Sequence, residues 1–233
     1  MHQASEEIRR RLMSRGSAEG VEKTRRYFRE PVTTYGCSSS DAKAVTEELA
    51  PTLKRDLGQT LIVAGELIEA GVLEEQWVAT ALLAKVKRQL TAEHVDQVDD
   101  WIDSLTNWAS VDTFCTQIVN ALVEGKPETV GRLRGWAASP SRWRRRAAAV
   151  SLVPTARRGM MLQDVFGVAD VLMEDRDDLV QKGVGWLLKE ASKRHQGEVR
   201  EYLLGWRDRA PALVLRYASE KLPLGQRILK TRA

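Results

Sequence analysis

Apolar residues return every three or four positions along almost the whole chain, and strand-like alternation is nearly absent, which predicts an all-helical protein. Ile8 and Leu12 space a short amphipathic helix over Glu6–Ser14 that stops near Gly16. Leu61, Ile62, Ala64, Leu67 and Ile68 space another over Leu61–Ala70 that stops at Gly71. Further helices are predicted over 18–29, 40–56, 74–89, 93–104, 108–124, 127–137, 141–152, 161–173, 178–194, 197–208, 211–221 and 224–230, separated by a few Gly, Pro, Ser, Asn or Asp residues. Pro51 falls inside the 40–56 stretch and is expected to kink or divide it. Short helices, short loops and no long linker predict one domain over 1–233, an α-solenoid of antiparallel helix pairs. Self-similarity at a fixed period is absent, so the repeat is inferred from helix lengths.

Composition narrows the classes of function. The 233 residues include 36 Lys and Arg, 32 Asp and Glu, 3 His and 2 Cys, with 43% hydrophobic and 29% charged, as in ordinary folded proteins. No stretch approaches the roughly 18 apolar residues of a membrane span. The opening Met1-His2-Gln3-Ala4-Ser5-Glu6-Glu7 lacks the apolar core of a signal peptide. Cys37 and Cys115 are too few for a disulfide framework, and His2, His94 and His195 are scattered, so no metal-ligand spacing arises. Phosphate-cradling glycine loops are missing too. A cytoplasmic, reduced monomer with no metal, no cofactor and no membrane partner is the expectation.

Charge is distributed unevenly. Residues 1–125 hold 14 basic and 20 acidic residues, a net of −6, whereas residues 126–233 hold 22 basic and 12 acidic, a net of +10. A polyanionic partner for the basic half is one inference, and an Arg-rich solvated surface is the other. In a solenoid the basic half would lend a concave face to rod-shaped duplex DNA.

Three stretches could carry chemistry. On the helix from Asp178, Lys182, Trp186, Lys189 and Lys193 form one stripe, opposite Val180, Val184, Leu187, Leu188 and Ala191, which can pack a core. Gly183 and Gly185 would allow close approach of another backbone or of a ligand. The alternative is a Trp at a helix seam with its rim covered by lysines. In Asn107-Trp108-Ala109-Ser110-Val111-Asp112, an indole and a carboxylate lie one turn apart, as a working pair or with Asp112 as a cap-region acid. In Ser141-Arg142-Trp143-Arg144-Arg145-Arg146, four arginines surround a Trp at a helix start. Ala147, Ala148, Ala149 and Val150 should pin that helix and leave the arginines pointing outward for phosphates.

Together, Trp108-Ala-Ser-Val-Asp112, Trp143-Arg-Arg-Arg146-Ala-Ala and Gln181-Lys182-Gly-Val-Gly185-Trp186-Leu-Leu-Lys189-Glu190 resemble, in order and spacing, the DNA alkylation repair glycosylases of the AlkD type. A fainter likeness is Arg26-Tyr27 followed by Gly36. Asn107 stands where the family has a second Trp, Ala109 replaces an acidic residue, and Cys37-Ser38-Ser39-Ser40 replaces an apolar, Thr-Pro helix start.

The resemblance implies an α-α superhelix of HEAT-like helix pairs with a concave basic face. It implies an aromatic cleft from Trp108 and Trp186, a catalytic carboxylate at Asp112 and a DNA contact at Arg146. Arg142, Arg145, Lys182, Lys189 and Lys193 are the further candidate phosphate contacts. The implied activity is hydrolysis of the N-glycosidic bond of N3- or N7-alkylated purines in double-stranded DNA by a monofunctional glycosylase that does not enclose a flipped base. No Lys is marked out as a Schiff-base nucleophile. The competing readings are a non-catalytic HEAT-like module for branched, bent or damaged DNA, and a helical scaffold for an acidic protein.

Overall fold

The structure, a computed structural model, describes residues 2–124 and 129–230. Among them the regular elements are helical, apart from an isolated bridge between Thr33 and Val72. The chain divides into two compact units, Met1–Ala121 and Leu122–Ala233. The expected all-α fold of stacked, paired helices is borne out in each.

The first unit contains α1 (Gln3–Arg15), α2 (Ala18–Tyr27), α3 (Ser39–Leu53), α4 (Leu57–Glu69), α5 (Leu73–Val86), α6 (Val95–Ile102) and α7 (Trp108–Phe114). Its core helix is α5, which packs against α1, α3, α4 and α7. Ala70, Gly71 and Val72 join α4 to α5, with Gly71 at φ +69° turning the chain back. Leu73, Val78, Ala79, Leu82, Leu83 and Val86 are buried, and so are the polar Glu74, Glu75, Gln76 and Thr80, so α5 is covered on nearly all sides. The α7 helix continues through a π-helical segment, Cys115–Val119, into α8 (Asn120–Glu124), so the helix expected over 108–124 is present with one widened turn.

The second unit contains α9 (Val130–Ala137), α10 (Arg142–Ser151), α11 (Val153–Arg157), α12 (Leu162–Leu172), α13 (Asp178–Ser192), α14 (Gln196–Gly205) and α15 (Ala212–Ala218). The start of the helix expected over 127–137 lies outside the described residues. Here α13 is central and packs against α10, α11, α12, α14 and α15. Its expected core face is buried, with Val180, Val184, Leu187, Leu188 and Ala191 at most 1% exposed. Gly185 is where α15 comes closest, since a Cβ there would lie 2.4 Å from Tyr217 Cβ.

Two expectations need correction. Pro51 does not divide its helix, because α3 runs on to Leu53 and ends there. A proline in the last turn withholds one N–H just where the helix is about to stop. The segment 224–230 forms only a 3-10 turn, Leu224–Gln226. Leu224 and Leu229 are exposed, so a helix there would have no apolar face to bury.

Glu190 on α13 is buried and accepts from Arg157 at 2.8 Å and from Lys193 at 2.6 Å. Burial alone would raise its carboxyl, but the bonds from Lys193 and Arg157 outweigh it and hold it below the ordinary 4.5. A carboxyl lowered on folding stabilises the native state above its unfolded value and loses that contribution as pH falls through the folded one. Glu190→Gln is therefore expected to flatten the fall in melting temperature between about pH 5 and pH 3. Gly185→Ala, which forces α15 off α13, is expected to cost about 1–3 kcal/mol. A melt identical to wild type by circular dichroism would contradict that contact.

Candidate functional site

Two adjacent carboxylates on α5 build the candidate surface of the first unit. Glu74, wholly buried, accepts hydrogen bonds from Thr34 Oγ1 (2.5 Å) and from the backbone N–H groups of Tyr35 (3.1 Å), Gly36 (3.0 Å) and Cys37 (3.0 Å). Glu75 accepts from Arg9 Nε at 2.9 Å and from the Tyr35 hydroxyl at 2.5 Å. Burial and the Glu75 carboxylate push the Tyr35 phenol well above its ordinary value, so it stays a donor. Gly36 is left-handed (φ +79°), and a Cβ on Gly20 would lie 2.0 Å from its carbonyl oxygen. The loop 33–37 is thus clamped between α2 and α5.

That clamp fixes the start of α2, whose far end carries the aromatic residues Tyr27 and Phe28. Phe28 is buried with its ring centroid 5.6 Å from that of Trp108, and Tyr27 lies 5.8 Å from Trp108 while remaining 67% exposed. Trp77 of α5 lines the same groove, as do Lys23 and Arg26, around a cavity of about 860 Å3. Indole, phenol and cations together form a surface on which a base can stack and a phosphate can pair.

Asn107 caps α7, its Oδ1 accepting from Ser110 N–H at 2.9 Å. The cap is therefore made without Asp112, which stands half-buried one turn beyond Trp108. The backbone carbonyl of Asp112 accepts from Thr116 Oγ1 at 2.7 Å, at the entry to the π-helical segment. Cys37 is no nucleophile, because burial, then Glu74 and Asp41, raise its thiol to about 11.

In the second unit the arginines do not point outward as expected. Arg146 is 6% exposed and donates to the Leu179 carbonyl in the first turn of α13. Arg145 meets Asp175 at 2.6 Å and donates to the carbonyls of Ser139 and Pro140. Arg142 lies 3.2 Å from Asp177, the N-cap of α13, and stacks over Trp143. An arginine beside a carboxylate and backbone carbonyls gains more from them than from water, and these three tie α10 to the start of α13. Gly183 is used by the same contact, with Arg146 Cγ and Val150 3.5 Å from where its Cβ would be, and Gly185 by α15. Neither glycine is left open to a ligand.

The α13 stripe is present with its charge partly matched. Lys182 pairs with Asp178 (3.1 Å), Lys189 with Glu220 (3.2 Å) and Lys193 with Glu190 (2.6 Å), while Trp186 is half-buried among them. Trp108 and Asp112 thus belong to one surface of the first unit, and Arg142, Arg145, Arg146, Lys182, Trp186, Lys189 and Lys193 to the α10 and α13 region of the second. Sequence reasoning missed Tyr27, Phe28 and Trp77 as neighbours of Trp108, although Arg26-Tyr27 followed by Gly36 was a signal for the first. It had no signal for Glu74, since two acids at a helix start ordinarily read as solvated.

With this geometry in hand, comparison with known proteins places the chain. Residues 8–222 match the DNA alkylation repair enzyme family, and the chain belongs to that family. A solved structure described as a predicted DNA alkylation repair enzyme from Enterococcus faecalis superposes with a TM-score of 0.79 at 17% identity, over 90% of this chain and 98% of that one. The crystal structure of smu.31 from Streptococcus mutans UA159 superposes with a TM-score of 0.58 at 16% identity, over 79% and 99%. At such identities the likeness is one of fold. No curated protein matches the chain.

Glu74→Ala is expected to strip the Tyr35 and Cys37 N–H groups and the Thr34 hydroxyl of their acceptor, Gly36 N–H keeping Thr34 Oγ1, at a cost of roughly 3 kcal/mol. That corresponds to a melting temperature lower by about 6–12 °C for a chain of this size, together with altered tryptophan fluorescence as the groove loosens. A variant that melts and fluoresces like wild type would show that the clamp does not hold the loop.

Proposed function

We propose that this DNA alkylation repair protein is a monofunctional glycosylase that hydrolyses the N-glycosidic bond of N3- or N7-alkylated purines in duplex DNA, without enclosing a flipped base. The observation that carries the reading is Trp108, set on an open aromatic surface with Asp112 one turn further along the same helix. That the family match runs through both units supports treating them as one repair domain; the reading adds that it works as a cytoplasmic monomer.

An alkylated purine of this kind is a cation, so its bond to the sugar is already weakened. As the bond breaks, its electron pair passes to the base and cancels the positive charge, while C1′ of the deoxyribose gains oxocarbenium character. Asp112 stabilises that cation and orients the water whose oxygen forms the new bond to C1′, accepting the proton the water loses. Unit charges about 4 Å apart at an effective dielectric of about 20 interact by on the order of 4 kcal/mol, about three powers of ten in rate if felt only in the transition state. The Trp108 indole offers its face to the cationic base, and Trp186 is the second unit's candidate indole. An open surface suits a lesion that needs little acid catalysis, and it tolerates bulk.

Lys182, Lys189, Lys193, Arg142 and Arg145 lie where they can exchange an internal carboxylate for a phosphate. Arg146, mostly buried, has little surface to offer DNA and does more to hold the start of α13. Such contacts position a duplex without reading its sequence.

The test is release of free base from duplex DNA methylated at guanine N7 and adenine N3, comparing wild type with Asp112→Asn at matched DNA occupancy. Release by wild type with an approximately thousandfold loss in the variant, at equal affinity, is the expected result. Tight, salt-dependent binding by wild type without base release would instead make the protein a module for branched, bent or damaged DNA.

A further inference from the structure

Much of the positive charge around α13 is matched within the protein. Lys182, Lys189 and Lys193 each meet a carboxylate, and so do Arg142 and Arg145. Arg216 on α15 and Arg227 in the turn beyond it differ, because among the described residues neither meets one. Arg216 is exposed and lies over the Tyr217 ring, its Cζ 5.6 Å from the centroid. Arg227, also exposed, donates to the Glu220 backbone carbonyl at 3.1 Å. Both side chains line a cavity of about 410 Å3 together with Tyr217, Ser219, Glu220 and Leu229.

The carboxylate on this cavity is already engaged, since Glu220 pairs with Lys189 at 3.2 Å and with Lys221 at 3.6 Å. Two guanidinium and two ammonium groups therefore stand against one carboxylate. The cavity also adjoins the functional face of α13. Tyr217 rests over Gly185, beside Trp186, and one turn later Lys189 reaches Glu220.

We propose that the cavity lined by Arg216 and Arg227 binds a phosphate of the DNA backbone and so carries the duplex-binding surface from α13 onto α15. The inference rests on the reading of the chain as a DNA-acting protein and adds to it a site outside the matched Trp and Arg motifs. Guanidinium groups without internal carboxylates gain the full attraction of a phosphate, because no ion pair is broken first. Tyr217 is a positioning residue, its ring holding Arg216 at the cavity mouth.

The test is binding of an unmodified duplex across a series of salt concentrations by wild type, Arg216→Ala, Arg227→Ala and the double variant. Arg216→Lys tests rescue by charge. Arg10→Ala serves as a control, since Arg10 is an exposed arginine of α1 already paired with Glu7. Each loss of a phosphate contact is expected to lower the slope of log affinity against log salt by about 0.9, and the affinity about eightfold at 0.1 M salt. The double variant should lose close to twice that slope, with Arg216→Lys and Arg10→Ala near wild type and all melts unchanged. Salt-dependent binding by wild type with the same slope in the double variant would overturn the phosphate site while leaving the DNA reading intact. An equal loss in Arg10→Ala would overturn it too, by reducing the effect to net charge. Failure of the wild type to bind duplex DNA would overturn the DNA reading and the inference with it.

Discussion

Glu74 is a carboxylate with no contact with water, and such a group is tolerated only when nearly every lone pair is filled by a donor. Here the donors come from one hydroxyl and three consecutive backbone amides of the loop 33–37. The bond set works in both directions. The carboxylate needs the loop in order to be buried, and the loop, which has few apolar side chains to bury, needs the carboxylate in order to have one conformation. With the loop fixed, the left-handed Gly36 meets Gly20, α2 is held at its start, and its far end carries Tyr27 and Phe28 beside Trp108. The open aromatic surface of the first unit thus depends on a charge that never reaches it.

The second unit uses the same kind of device with the signs exchanged. Arginines of α10 reach the start of α13, where Asp175, Asp177 and the Leu179 carbonyl supply acceptors. A helix start ordinarily repels cations, since its own dipole is positive there. Asp177 and Asp175 reverse that local field, and three guanidinium groups can then dock. The consequence for function is that α13, with Trp186 and its lysines, is aimed by α10 as well as by its own packing. Glycines finish the work, with Gly183 admitting Arg146 and Val150, and Gly185 admitting Tyr217.

How much of this was legible in the sequence follows from the range of each interaction. Helix identity is set by neighbours three and four positions away, so the periodic stretches were readable almost to their ends. The exceptions, Pro51 and 224–230, turn on whether a helix is about to stop or has a face to bury. Trp108 and Asp112 were legible as a pair because they share one helix face. The direction of the Arg142–Arg146 side chains was not, because it depends on Asp175 and Asp177 some thirty residues later. The same holds for Glu74, whose partners lie about forty residues earlier and offer mostly backbone groups, which no side-chain pattern announces.

These partnerships also bear on how a protein of net charge +4 can hold a polyanion. Counting basic residues overstates the attraction, because an arginine locked to Asp175 or a lysine locked to Glu190 already has its field answered at short range. Such cations fix the shape of the surface more than they draw DNA to it, and contacts that must first break an internal pair contribute little net affinity. Cations without a carboxylate have the opposite balance. They add little to the fold, and their charge is undiminished at the surface. On this argument the affinity of the second unit for a duplex is set less by the arginine-rich helix start that dominates its sequence than by isolated cations elsewhere, of which Arg216 and Arg227 are two examples.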